Sequence, residues 1–540
     1  MGFFTWYMAQ RIWYAIGATK TDYSICSRSG HEAISLHYGL SYGTQPEEIP
    51  KMRLIVFWGF NAAVSSPHQW HLTLKAKRKG CKIVVVDPRK TITAEKADLW
   101  VRLKPETDVA FVYGVARCLI KNGMVDHKFI GRWTYGFEEF RREALKWSPT
   151  RVERYTGVGW ETIKKFCEMY WSLKPNLIMV GLGLQKSFCG AEAVRAVSLL
   201  PALIGLHRGF YYSNNQGWNL NLKLLTGESL TRKRIHTVSQ VSLGKLLEKG
   251  EFKFVYIYNM NPAVSLPNQA SVRKGLLRED VFVVVHETHW TETAKHADVV
   301  LPAPTYLEKE DIVVSYSHPY TRKSLRAIKP LGESKDELWV SKQIAKKLKL
   351  KNRWLYENPW KTIEKVLGKN LTEKIRGGKT VKIDVKPKKE YQTPSGKIEF
   401  YSRRAKKLGY NPLPIQPKTK RKNWFILLSS SLPTYTHTQF QEVYGFIPPI
   451  AHINPKDAEK HGIKNGDILV LSNRLGKIRL KAIITDKVPQ GVLWTPKHGL
   501  DLNKKPKNLI TPDHTQKIGG GPIFNSTLVK IGCGGGDLNP

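Results

Sequence analysis

Cysteine is scarce and scattered. The chain has six in 540 residues, Cys26, Cys81, Cys118, Cys167, Cys189 and Cys533, and no CxxC pair. Spacing that wide excludes a zinc knuckle or a ferredoxin-type iron–sulfur run written in this sequence. Acidic residues are short too: 45 Asp and Glu face 86 Lys and Arg, a formal charge of +41. Nowhere does an unbroken apolar run reach about 18 residues, so no membrane-spanning helix is expected. The aromatic opening "GFFTWYMAQRIWYAIG" has Arg11 at its centre and lacks the basic start and small-residue cleavage site of a secretory leader. The chain is therefore expected to be soluble, or membrane-associated through partners.

The basic excess favours anionic ligands, membranes or nucleic acids, and concerns association more than fold. The runs "KPKKEY" (386–391) and "KTKRK" (418–422) lie in proline-rich, polar stretches and read as solvated linker faces. No base-stacking motif accompanies them, so no nucleic-acid partner is expected. A basic nucleic-acid-binding protein stays open only as an alternative class. At this length three or four domains are expected, since single cores rarely grow beyond about 250–300 residues.

An internal echo organises the chain. "RLIVFWGFNAAVSSPHQ" (53–69) returns as "KFVYIYNMNPAVSLPNQ" (253–269), and "IVVVDPRKTITAEKADLWV" (83–101) as "FVVVHETHWTETAKHADVV" (282–300). Each apolar run bounded by polar turns reads as a buried parallel strand followed by a helix and a second strand. The fold class is α/β: two Rossmann-like αβα halves related by an internal repeat, plus a C-terminal β-barrel domain. The expected blocks are 1–50 for an N-terminal segment and loop, 51–245 and 246–415 for the two halves, and 416–540 for the barrel. In doubly wound sheets ligands sit beyond the carboxyl ends of the strands, where "GFN", "DPRKT", "NMN" and "HETHWTET" fall. Paired polar ends suggest two nucleotide-like ligands or one long one, although Asn, Ser and Thr also cap turns and helices.

Cys81 precedes a strand, and Cys118 and Cys167 fall in helical stretches; all three read as small core residues. Cys26 differs, because "SICSRSGHEAISLHYG" (24–39) sets it before a small, polar turn that runs into a helix. Buried filler, nucleophile and metal ligand are its open roles.

"GFNAAVSSPH", "VVVDPRKTITAEKADLWVRLKPETD", "GLGLQKSFCG", "NMNPAVSLPNQ", "TETAKHADVVLPAPTYLEKED" and "TPSGKIEFYS", in that order, resemble the signatures of molybdopterin oxidoreductases of the dimethyl sulfoxide reductase type. "THTQF" and "HINPKDAEKHGIKNGDILVLSNRLGKIRLKAIITDKVPQGVLWTPKHG" are similar to that family's final barrel. The resemblance runs from about residue 20 to about 530. It implies a catalytic subunit with bis-molybdopterin guanine dinucleotide around molybdenum or tungsten. Cofactor contacts would fall on Gly59, Asn61, Ser66, Asp87, Arg89, Thr91, Asp108, Gln185, Asn261, Thr291 and Thr293, with His437, Thr438 and Gln439 facing a pterin.

In the family the protein supplies one metal ligand from a loop before a short helix, and Cys26 occupies that place, with Gly39 thirteen residues on. A thiolate is a soft donor that suits a metal among dithiolene sulfurs. Arg28 and His31 are candidates to hold an anionic substrate or move a proton, and Glu308 stands either near the cofactor or in a surface ion pair. The four-cysteine cluster domain common in the family is not seen before Cys26. An iron–sulfur cluster is therefore expected on a separate chain or missing segment, with a seam at Phe3, Phe4, Trp6, Tyr7, Trp13 and Tyr14, unless these form an ordinary amphipathic helix. Partners implied are a small-molecule substrate, an iron–sulfur electron-transfer subunit and a membrane anchor subunit. Two-electron chemistry on a thiosulfate- or polysulfide-type substrate is weakly favoured, because Ser27 stands where formate dehydrogenases commonly have His. The alternatives are a formate dehydrogenase-like enzyme, or a metal-free structural or electron-transfer relative in a respiratory complex.

Overall fold

The computed structural model describes residues 2–418 and 423–533, so the basic run 418–422 lies, but for Lys418, outside the described residues. The chain forms two compact units from non-consecutive stretches. One takes the described residues up to Asp22, Gly217–Ala263 and Ser271–Lys386; the other takes Tyr23–Gln216, Val264–Ala270 and the described part of 387–540. The stretch read from sequence as one block, 1–50, is thus parted at residue 22.

The larger unit contains a parallel sheet of β1 (Leu54–Trp58), β2 (Lys82–Val86), β3 (Leu99–Val101), β4 (Asn176–Val180) and β5 (Phe210–Tyr211) in the order β3-β2-β1-β4-β5. Val56 lies opposite Val84 on one side and Ile178 on the other. Side chains alternate across a strand, so both faces of "LIVFW" need cover. Val56 and Trp58 enter one apolar cluster with Val84 and Val86, while Ile55 and Phe57 enter another with Ile83 and Val85. The helices that serve the first cluster include α1 (Arg28–Tyr38), α2 (Asp108–Lys121), α3 (Trp160–Ser172), α4 (Leu182–Gln185) and α5 (Gly190–Leu203). Trp58, Phe111 and Phe166 meet edge to face at its centre, with centroids 5.6, 5.8 and 6.4 Å apart, the geometry aromatic quadrupoles prefer. Cys81, Cys118, Cys167 and Cys189 are buried, as small core residues should be.

The smaller unit carries the second copy, with β6 (Phe254–Tyr258), β7 (Phe282–Glu287) and β8 (Val299–Pro302) parallel in the order β8-β7-β6. An antiparallel sheet, β9 (Asp311–Val314), β10 (Tyr320–Ser324) and β11 (Val381–Lys382), follows. Phe3 is fully buried with Leu225, Ile312, Ile363 and Ile375, and the Phe4 ring meets Trp360 at 5.7 Å. Arg11 is buried and donates to the carbonyls of Leu224, Leu225 and Trp354. Of the N-terminal aromatics, Phe3 and Tyr14 are buried in this unit, while Phe4, Trp6, Tyr7 and Trp13 remain partly exposed. Glu308 is buried and accepts the N–H groups of Thr305 and Leu331, each at 2.7 Å, so it closes a loop instead of pairing at the surface.

The repeat extends to individual hydrogen bonds. Thr93 Oγ1 donates to Asn61 Oδ1 at 2.8 Å and accepts from Ala63 N at 3.0 Å; Thr293 Oγ1 donates to Asn261 Oδ1 at 2.6 Å and accepts from Ala263 N at 3.0 Å. Asp98 and Asp298 accept from Ile83 N and Val283 N at 2.8 and 2.7 Å. Thr91 and Thr291 each accept from the alanine N–H three residues on, at 3.2 Å.

Six strands close the C-terminal barrel of the larger unit: β12 (Phe425–Ser430), β13 (Ile450–Ile453), β14 (Ile468–Asn473), β15 (Gly476–Ile484), β16 (Val492–Pro496) and β17 (Thr527–Cys533), in the order β12-β16-β13-β15-β14-β17. Strand β15 shows why: Ile478, Leu480 and Ala482 alternate inward with exposed Lys477, Arg479 and Lys481. Closure leaves no open sheet edge. Among the described residues no helix is long and apolar enough to cross a membrane.

Candidate functional site

Cys26 lies in the turn between Tyr23 and α1, and it is the exposed member among the cysteines whose side chains are described. The turn is held from outside. Gln185, at the end of α4, donates Nε2 to the Cys26 carbonyl and accepts Gly30 N through Oε1 at 2.7 Å. Lys186 Nζ donates to the carbonyls of Ile25 and Cys26, the latter at 2.6 Å. Tyr212, just past β5, donates its hydroxyl to the Ser27 carbonyl at 3.1 Å. Ser29 Oγ bonds the Ile518 carbonyl and Gly521 N, both at 2.8 Å. Gly30 has to be glycine, because a Cβ there would lie 2.3 Å from the Tyr212 ring.

Charge around this turn is one-sided. Burial, opposed by Cys26 and helped by Lys497, pushes the Lys186 ammonium down to about 8. Lys497 is lowered for the same first reason. No carboxylate pairs with either lysine among the described residues. His437 is exposed on one side, yet the protein packed around it, with Lys497 and Lys186, pushes its imidazole down to about 4. Its Nδ1 lies 3.4 Å from His498 Nε2, and His498 Nδ1 is buried with no partner. Both histidines have left-handed backbones, φ 57° and 58°.

At the carboxyl ends of β1 and β2 lie two more carboxylates. Asp108 is buried and accepts Trp58 Nε1 at 2.8 Å; Asp87 accepts Arg89 N at 2.9 Å. Burial pushes each up to about 6. Gly59 turns there with φ 57° and packs against Leu184, 3.2 Å from where its Cβ would stand.

Several residues read from sequence are otherwise engaged. Asn61 Oδ1, Asn261 Oδ1, Thr93 and Thr293 serve the repeated bonds described above, and Thr91 and Thr291 cap the turns that follow β2 and β7. Ser66 donates to Gln69 Oε1 at 2.9 Å. Arg89 lies 4.2 Å over the Trp494 ring and donates to Ser430 Oγ at 3.1 Å, so its guanidinium rests against the barrel. Asn261, Thr291 and Thr293 belong to the smaller unit, the remaining candidates to the larger. Arg28 is exposed beside Cys26, whereas His31 is buried edge-on against Tyr212 and pushed down to about 4, so it carries no charge for an anion at neutral pH. Thr438 and Gln439 share the turn of His437, where Gln439 N donates to Thr436 O. Run 386–391 is partly packed: Lys388 pairs with Glu48 at 2.5 Å and Tyr391 is buried. Lys186, Tyr212, Lys497 and His498 were missed from sequence, although Lys186 directly follows Gln185 and His498 ends "TPKH".

By sequence, residues 4–347 match the family described as molybdopterin oxidoreductase, and residues 425–528 match the "Molydopterin dinucleotide binding domain". The protein named "Probable oxidoreductase YoaE" of Bacillus subtilis (strain 168) is 34% identical over 553 residues, spanning 97% of this chain and 81% of that protein. A formate dehydrogenase subunit alpha of Methanocaldococcus jannaschii is 27% identical, spanning 95% and 80%. In three dimensions, acetylene hydratase from Pelobacter acetylenicus shares the fold, with a TM-score of 0.83 at 19% identity over 97% of this chain and 83% of that one. The preference for thiosulfate or polysulfide is corrected: formate dehydrogenases and a dimethyl sulfoxide reductase stand among the relatives, and they lend it no support. With more than half of the chain matched to one family, and a relative above 30% identity along nearly its whole length, the chain belongs to the molybdopterin oxidoreductases of the dimethyl sulfoxide reductase family.

Proposed function

We propose that this chain is the catalytic subunit of a molybdenum- or tungsten-dependent oxidoreductase in which Cys26 gives the protein's sulfur to the metal. One observation carries the reading: an exposed cysteine sits on a turn whose carbonyls at positions 25, 26 and 27 are each bonded by side chains from elsewhere in the fold. Holding three successive peptide groups has no use for a filler residue, but it aims a sulfur.

The donor set fits the family's cofactor. Among the described residues no three His, Cys, Asp or Glu gather into a metal cage, so the polypeptide offers a single sulfur, which suits a metal whose other ligands are dithiolenes. Asp87 and Asp108 would accept the N–H groups of a guanine, Lys186 and Lys497 would balance anionic charge, and the unpartnered His498 Nδ1 would face a pterin. When bound, the metal supplies two-electron redox chemistry. The chain's own residues hold Cys26 in place, keep His437 and His498 neutral, and set Arg28 two residues from the sulfur. Formate is the first substrate to test, because relatives carry that activity in their names. An iron–sulfur subunit is the partner that would pass electrons singly.

Anaerobically purified protein is expected to contain molybdenum or tungsten and to release guanine nucleotide on denaturation. Cys26→Ala should keep the nucleotide while losing turnover with formate and a dye acceptor. Absence of both metal and nucleotide would refute the reading, as would a Cys26→Ala protein with undiminished metal content and turnover.

A further inference from the structure

We infer that Lys186 is a positioning residue for the Cys26 turn, one that both clamps its carbonyls and supplies the positive charge that an anionic metal centre needs. Two independent features point to it. Nζ donates to two successive carbonyls, Ile25 and Cys26, and the neighbouring Gln185 carboxamide donates to the second of them. Each peptide carbonyl has two lone pairs, so both donors can be satisfied at Cys26 at once. The ammonium also has no carboxylate partner among the described residues; of the protein groups that act on it, Cys26 favours its charge and Lys497 opposes it. A half-buried charge left uncompensated by protein is costly unless negative charge from another source gathers beside it.

The base of this arrangement is rigid. Gln516 Nε2 donates to the Gln185 carbonyl at 2.5 Å, and Gly190 packs so closely on Gln185 that a Cβ would lie 2.4 Å from its carbonyl carbon. Lys186 therefore projects from an anchored turn onto the Cys26 loop. The clamp is a property of the polypeptide alone; the charge role rests on the proposed metal site, so the two are tested separately.

Three full-length variants separate them. Lys186→Met removes donor and charge, Lys186→Gln keeps a donor without the charge, and Lys186→Arg keeps both. In metal-free protein, amide hydrogen exchange across residues 24–30 should quicken about tenfold in Lys186→Met, the loss of one charge-assisted bond, and stay near the parent rate in Lys186→Arg. In loaded protein, the midpoint potential of the metal's paramagnetic signal should fall in Lys186→Met and Lys186→Gln, because a lost cation disfavours the reduced centre, and recover in Lys186→Arg. Unchanged exchange in Lys186→Met overturns the clamp, and an unchanged potential in Lys186→Gln overturns the charge role. If Lys186→Met fails to fold, Lys186→Gln decides the clamp, because its shorter amide cannot span both carbonyls: exchange as slow as in Lys186→Arg overturns it. A chain that takes up no metal refutes the proposed function and the charge role with it, while the exchange result still stands.

Discussion

The two copies of the repeat share their polar bonds but differ in what lies beneath them. Leu54 opens β1 with no exposure because β4 pairs beside it, Leu54 against Asn176. Phe254 opens β6 at the matching place and is 52% exposed, since β6 ends its sheet. It stacks on Phe282, itself 48% exposed, at 6.2 Å and 16°. Hydrogen bonds between residues near in sequence travel with a duplicated sequence, while burial depends on which other elements stand alongside. The first copy holds the buried Asp108 and the aromatic cluster on Trp58, and at the place of Asp87 the second has Glu287, whose Oε1 is taken by its neighbour Thr288 at 2.8 Å.

The strongest way to break this comparison is at the core. Trp58→Ala should cost about 3–5 kcal/mol, read from denaturant midpoints, as expected for emptying a large buried site. A change below about 1 kcal/mol would mean that the first sheet does not depend on its aromatic centre.

Next comes pH. The folded Asp108 carboxyl has its pKa raised by burial to about 6, so the folded state holds a proton that the unfolded chain has released. The stability this contributes is whole below about pH 4 and is lost as pH rises through about 6, roughly 2–3 kcal/mol in cofactor-free protein. Asp108→Asn should flatten that slope in thermal melts between pH 4 and 7; an equally steep slope in the variant would place the proton elsewhere.

Smaller effects sharpen the likeness. Thr93→Val and Thr293→Val each remove a buried hydroxyl that donates to an asparagine and accepts from an alanine N–H, and each should cost about 1–2 kcal/mol. Their costs should agree within about 0.5 kcal/mol, as local bonds of equal geometry require. Amide exchange at Ala63 and Ala263 reads the two separately, and loss of protection at one alone would show that the copies are not equivalent. Least of all, Phe254→Ala should cost under about 1 kcal/mol, because half of the ring is already in water.

Much of the plan was legible because it rests on short-range patterns. The repeat, the paired strands and the barrel strands such as "KIRLKAII" announce themselves through alternation and self-similarity. Cys26 was legible as the one cysteine set before a polar turn. Less legible was what Asn61, Thr93 and their counterparts do: their side chains close bonds across about thirty residues, and a polar residue at a strand end looks alike whether it meets a ligand or its own backbone. Arg89 illustrates the same limit, since nothing near it in sequence announces the Trp494 ring, about four hundred residues later, that lies beneath it.

By itself, the sequence determined the strands, the duplication and the sulfur on its turn, since each depends on residues close together along the chain. Tertiary structure alone decided how that sulfur is aimed and in what field it sits. Gln185, Lys186 and Tyr212 reach the Cys26 turn across more than 150 residues, and such contacts leave no periodicity to read. It also decided the surroundings of each candidate cation, because the partners that folding brings to a charge come from anywhere along the chain.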